Sequence, residues 1–137
     1  MRLILSFCIF VLVSCNSTQK TANMDEFPTG NYELMALNTE NYKPQKTYRI
    51  NINTNEQRLG GKFDCNTFTC EYEKNGKTLD FKYPISTKMY CEGDMTNENA
   101  FFGQLGLITT FEYKDETLKF FGEDNNLILE LKYLSNE

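Results

Sequence analysis

The side chains with chemistry to offer in this sequence are five cysteines at positions 8, 15, 65, 70 and 91, methionines at 89 and 95, and scattered carboxylates. Carboxylates that work as an acid–base pair stand about 5–9.5 Å apart on different elements across a cleft. Asp64, Asp80, Glu92, Asp94, Glu98 and Asp115 qualify by type. Most of them fall in turns or on predicted polar faces, so they read as solvated surface, and Asp94 beside a helix start reads as a cap. Histidine is missing from all 137 residues, so no Ser-His-Asp or Cys-His couple and no imidazole metal ligand can be assembled. The same lack removes the usual base that would activate a nucleophilic cysteine. Gly60-Gly61 is without the loop and spaced lysine of a phosphate cradle. Asp115-Glu116 and Glu123-Asp124 are isolated turn carboxylates and not a calcium loop. No catalytic residue, metal or cofactor is expected, and the chain does not read as an enzyme. Fourteen Lys and Arg against nineteen Asp and Glu, a net charge of −5, argue against a nucleic-acid partner.

Two of the cysteines belong to an address. Met1-Arg2 is a short positive start, and Leu3 to Val13 is an apolar run broken by Ser6. That run is shorter than the roughly 20 residues a membrane-spanning helix needs, and it fits the apolar region of a secretory signal. It ends in Leu12-Val13-Ser14-Cys15, which resembles the bacterial lipobox, where a peptidase cuts before a cysteine already alkylated by a diacylglyceryl group. Long acyl chains such as palmitate contribute about 0.8 kcal/mol per buried CH₂, so two or more hold a protein to a membrane. The chain therefore divides into a leader over 1–14, a lipidated Cys15 with a polar tether over 15–29, and a folded domain over 30–135. The expected location is a bacterial cell envelope, with the domain in the periplasm or at the cell surface.

Export favours disulfides. With Cys8 removed and Cys15 acylated, Cys65, Cys70 and Cys91 remain, which gives one bridge and one spare thiol. Joining Cys65 to Cys91 closes a loop of about 26 residues, worth roughly 3.5 kcal/mol on a loop-entropy estimate. Cys70 to Cys91 competes with it, whereas Cys65 to Cys70 requires a tight turn inside a predicted strand. The three thiols with Met89 and Met95 also form a soft set suited to Cu(I), although their spacing matches no metal signature and methionines near cysteines commonly pack a core. Asn66, Thr87 and Lys88 are candidate binding residues: gathered around a bridge, Lys88 would face an anion and Asn66 would hydrogen-bond a ligand. The plainer reading is that Asn66 and Thr87 satisfy backbone groups at a strand kink while Lys88 lies on the surface.

The elements that must position these residues are mostly strands, because the apolar period is two from Asn31 onward. Tyr32, Leu34 and Ala36 define a strand over 31–37, and Tyr48, Ile50 and Ile52 a second. Asn53-Thr54-Asn55-Glu56 turns the chain into a third strand over 57–63, in which Gly60-Gly61 predicts a bulge or sharp bend. Cys65 to Glu73 reads as a strand with Phe68, Cys70 and Tyr72 on one face. Asn75-Gly76 is a strong hairpin turn. Thr78 to Tyr83 returns with Leu79, Phe81 and Tyr83 on one side, until Pro84 ends the pairing. A short helix is predicted near 95–106, capped by Asp94 or Thr96, with Ala100, Phe101, Leu105 and Ile108 as its apolar stripe and Gly106 as its stop. Strands follow over 108–113, 117–121 and 127–133. The fold class is mainly β: an antiparallel curled sheet or small barrel of about eight short strands and one helix. The aromatic residues are mostly core, and the adjacent pairs Phe101-Phe102 and Phe120-Phe121 must each send one ring outward.

Four segments in order resemble the META domain family, the HslJ-like bacterial lipoproteins. Gly61-Lys62-Phe63-Asp64-Cys65-Asn66-Thr67-Phe68 is similar to its Gly-x-x-x-Cys-Asn-x-Phe signature, and Ser86-Thr87-Lys88-Met89-Tyr90-Cys91 to its Thr-Arg-Met-x-Cys segment, with lysine for arginine. Asn97 to Leu105 resembles the helix that follows, and Leu118 to Tyr133 the closing hairpin. The resemblance implies a lipocalin-like topology and pairs Cys65 with Cys91. It leaves Cys70 as an added thiol where the family has glycine, and sets Tyr32 in place of a tryptophan. It also implies an association with envelope stress. The expected function is a non-enzymatic envelope lipoprotein, anchored at Cys15, that binds an envelope protein or ligand. The alternatives are a carrier of a small lipophilic ligand and a periplasmic copper or thiol-redox protein using Cys65, Cys70, Cys91 and Met89.

Overall fold

The computed structural model describes residues 25–39, 42, 46–63, 65–90 and 95–136. The predicted leader, Cys15, most of the tether, Asp64, Cys91, Glu92 and Asp94 lie outside them. Nine strand segments and a helix follow in chain order: β1 (Gly30–Leu37), β2 (Arg49–Asn53), β3 (Arg58–Phe63), β4 (Asn66–Asn75), β5 (Thr78–Phe81), β6 (Ile85–Ser86), α1 (Thr96–Leu105), β7 (Thr110–Lys114), β8 (Thr117–Phe121) and β9 (Leu127–Ser135). Eight of the strands close into an antiparallel up-and-down barrel, in which each pairs with the next and β9 returns to β1. The two-residue β6 continues the line of β5 along the edge of β4. This is the predicted mainly β architecture.

The turns follow from local chemistry. Asn53 Oδ1 accepts the N–H groups of Asn55 and Glu56 at 3.1 Å each, which folds the β2–β3 connection. Gly76 adopts φ +59 in the Asn-Gly turn. Asp115 and Glu116 both take positive φ, 49 and 60, in a two-residue hairpin without glycine. Along β4 the alternation sends Asn66, Phe68, Cys70 and Tyr72 inward. Phe63, Phe101 and Phe120 are fully buried with Tyr32 in an aromatic-rich core. Of the adjacent pairs, Phe101 and Phe120 are buried while Phe102 and Phe121 are half-buried.

Several local expectations are corrected. In β1 the register skips Met35, because Leu34 pairs with Leu131 and Ala36 with Glu130. This bulge exposes both Met35 and Ala36 and turns Leu37 inward. Gly60-Gly61 is not a bulge: it lies in an unbroken ladder between β2 and β4. A Cβ on Gly61 would stand 2.6 Å from the Arg49 carbonyl oxygen and 3.1 Å from the Phe68 ring, so close packing demands the glycine. Cys65 does not start a strand but sits in the turn between β3 and β4. Tyr83 is 91% exposed and not core. Pro84 breaks the ladder after Phe81 and takes the inward place itself. The α1 N-cap is Met95, with no side-chain capping bond, so Thr96 is the first helical residue and not a cap.

Candidate functional site

The residues of the predicted signature meet at one end of the barrel, where α1 packs against Phe63 of β3 and Phe68 of β4. The β3–β4 turn delivers Asn66 as the first inward residue of β4, 1% exposed. Its amide joins three pieces of chain. Nδ2 donates to both Glu98 carboxylate oxygens, at 3.1 and 3.4 Å, and so reaches the first turn of α1. Oδ1 accepts the Met89 N–H at 2.9 Å and the Thr87 hydroxyl at 3.2 Å, which fixes the segment after β6. Thr87 in turn receives the Thr67 N–H on its hydroxyl at 3.1 Å and gives its own N–H to the Thr67 carbonyl at 3.0 Å. Ser86 Oγ donates to Glu98 Oε1 at 3.4 Å.

Glu98 is a correction to its reading as solvated surface: it is 4% exposed, and among the described residues no Lys or Arg pairs with it. A buried carboxylate is tolerated when donors meet it, and here Asn66 and Ser86 supply them. One signal for this was available in the sequence. Glu98, Phe101 and Leu105 follow the i, i+3, i+7 spacing of one helix face, so a glutamate stands at a core position of the apolar stripe. Beside it Asn97 is also buried and donates to the Tyr48 hydroxyl at 3.2 Å, tying α1 to the start of β2. Phe101 seats the helix against Phe63 and Phe68, with ring centroids at 4.9 and 5.4 Å.

The other predicted residues fall elsewhere. Lys88 is exposed and outside this cluster, and Thr87 contributes its hydroxyl while remaining exposed at the surface. Cys70 is buried two positions beyond Phe68, with a free thiol that donates to the Lys82 carbonyl at 3.0 Å. Burial, with the nearby Glu71 charge, pushes that thiol up to about 11 from an ordinary 9.0. It therefore stays protonated and poorly nucleophilic at neutral pH. Met89 gives its backbone to Asn66 while its side chain is 59% exposed. Among the described residues no three His, Cys, Asp or Glu side chains converge to hold a metal. The arrangement can brace a helix and a loop against a barrel.

The comparisons with known proteins agree with this architecture. Three solved structures share the fold. An NMR structure of a protein from Burkholderia xenovorans matches with a TM-score of 0.56 and 15% identity, covering 78% of this chain and 83% of that one. A crystal structure of a DUF4847 family protein from Bacteroides vulgatus matches at 0.54 and 11%, covering 80% and 94%. A further NMR structure matches at 0.53 and 18%, covering 77% and 89%. None of the curated proteins matches the sequence. The META domain model matches residues 25–132, which spans every strand except the last residues of β9, and the chain belongs to the META domain family.

Proposed function

We propose that this protein is a non-enzymatic lipoprotein of a bacterial cell envelope, held to its membrane by acylated Cys15, whose META domain binds another envelope component. One observation carries the binding role. The segment pinned by Asn66 presents Tyr83, Ile85, Met89 and Tyr90 outward, 91%, 72%, 59% and 95% exposed. Large apolar and aromatic side chains gathered on a single exposed stretch are typical of contact surfaces, and tyrosine is enriched at their centres. The buried polar residues of the signature serve as the frame for that stretch, which favours a display module over a catalyst. The stress-related setting comes from the family resemblance.

The same reading includes a Cys65–Cys91 disulfide. Its support is the family resemblance, which pairs these two, together with Cys70 being free and buried. Such a bridge would tie the far end of the displayed segment to the β3–β4 turn.

Two measurements test the proposal. Mass analysis of the N-terminal peptide from envelope-derived protein should find Cys15 as the first residue, carrying diacylglyceryl, and an unmodified Met1 would refute the anchor. A photo-crosslinker at position 85 should capture a reproducible adduct in intact envelopes that the same group at Leu134, exposed on β9, does not. Equal capture at both sites would refute a specific surface.

A further inference from the structure

At the opposite end of β4 from Asn66, the chain leading into β1 stops the mouth of the barrel. Residues 26–28 join no strand, yet Phe27 is 6% exposed. Its ring meets Phe111 edge-on at 4.8 Å and lies 6.3 Å from both Tyr72 and Phe120. Outside it is an open hollow of about 330 Å³ walled by Phe27 itself, Thr54, Gln57 and Lys74. The Tyr72 hydroxyl is buried and has no hydrogen-bond partner among the described residues. A phenol shielded from water without a partner is costly, and each such group calls for an explanation. Phe27 thus lines the outer hollow and packs 6.3 Å from the ring that carries the unmatched hydroxyl. Beyond its ring contacts, the stopper is held by the Tyr32 hydroxyl donating to the Pro28 carbonyl at 2.5 Å, an exposed ion pair of Asp25 with Lys77 at 3.6 Å, and Thr29 Oγ1 accepting the Thr54 N–H at 3.0 Å.

We propose that Phe27 is displaceable, and that the space it vacates, continuous with the hollow, binds a small neutral aromatic molecule bearing one oxygen that hydrogen-bonds the Tyr72 hydroxyl. The apolar body would take the place of the Phe27 ring against Phe111 and Phe120, so the aromatic packing is kept. The oxygen would give Tyr72 the partner it lacks in the stoppered state. The part that replaces the Phe27 ring must be neutral, because the rings around it offer a charge no compensation, while Glu26 and Lys74 stand on the wall of the outer hollow. A hollow plus the volume of one ring is at the small end of ligand pockets, which limits the ligand to about one ring and short substituents.

The test uses the whole chain and two probes of nearly equal shape, 4-methylphenol and 1,4-dimethylbenzene. In a Phe27→Ala variant with native circular dichroism, 4-methylphenol should bind about fivefold tighter than 1,4-dimethylbenzene, the worth of one hydrogen bond. Adding Tyr72→Phe should abolish that preference while leaving 1,4-dimethylbenzene binding unchanged. The unsubstituted chain should bind 4-methylphenol more weakly than the variant and shift the Phe27 ring signals on binding. If Phe27→Ala does not fold, Phe27→Leu takes its place in the same comparison. A folded variant that binds neither probe, or prefers neither, would overturn the proposal and leave Tyr72 merely hydrated.

Discussion

Asn66 is the residue on which three chain segments depend, and its replacement should be disproportionately costly. Asn66→Ala removes a donor to the buried Glu98 and the acceptor for the Met89 N–H and the Thr87 hydroxyl together, leaving Ser86 as the donor to Glu98 among the bonds described. Losing several hydrogen bonds around buried polar groups costs about 3 kcal/mol in all. An unfolding free energy lowered by that amount in urea, with an unchanged slope, is the expected result. Titration at high pH should also weaken the fold. Burial pushes Cys70 up to about 11 and Tyr72 up to about 12, against ordinary values of 9.0 and 10.0. Both are neutral acids favoured by folding, so their contribution is complete below pH 9 and drains away as pH climbs from there toward 12. Unfolding midpoints flat from pH 7 to 9 and falling above it would agree. The fall should shrink in Cys70→Ser, whose hydroxyl does not titrate there.

At the scale of elements, the ladder around β3 tolerates no extra atom. Gly61→Ala would drive a methyl into the Arg49 carbonyl and the Phe68 ring, and overpacking of this kind typically costs about 1–3 kcal/mol. Gly76→Ala, which meets nothing within 4 Å, should act through its φ of +59 alone and cost less. Comparing the two variants in urea separates crowding from backbone strain. Strand boundaries and turns were legible because period two and Asn-Gly chemistry are local signals: β8 over 117–121 and the Gly76 turn are examples. What escaped depended on neighbours distant in sequence. The Met35 bulge is set by how β9 lies against β1, and the crowding at Gly61 comes from β2 and β4. Glu98 is the instructive case for the site. Its spacing with Phe101 and Leu105 was on view, but the partner that makes its burial tolerable lies 32 residues earlier on another strand. Asn66 and Thr87 could be read as candidates from their signature, whereas their use in bracing a helix follows only once the barrel brings the pieces together.

For the whole molecule, the eight-stranded closure leaves two ends with different work. One end is welded by Asn66 and Glu98 and carries the exposed stretch from Tyr83 to Tyr90. The other is stoppered by Phe27, where the chain arrives from the predicted tether. We propose that the welded end holds a contact surface. Its most direct measurement is the adduct yield from a photo-crosslinker at position 85 in a chain carrying Tyr83→Ser and Tyr90→Ser, with folding followed in parallel. Both tyrosines are almost fully exposed, so the unfolding free energy should move by less than about 0.5 kcal/mol. The adduct should drop about tenfold, as expected when central contact residues are removed. An undiminished adduct from an equally stable variant would contradict the claim.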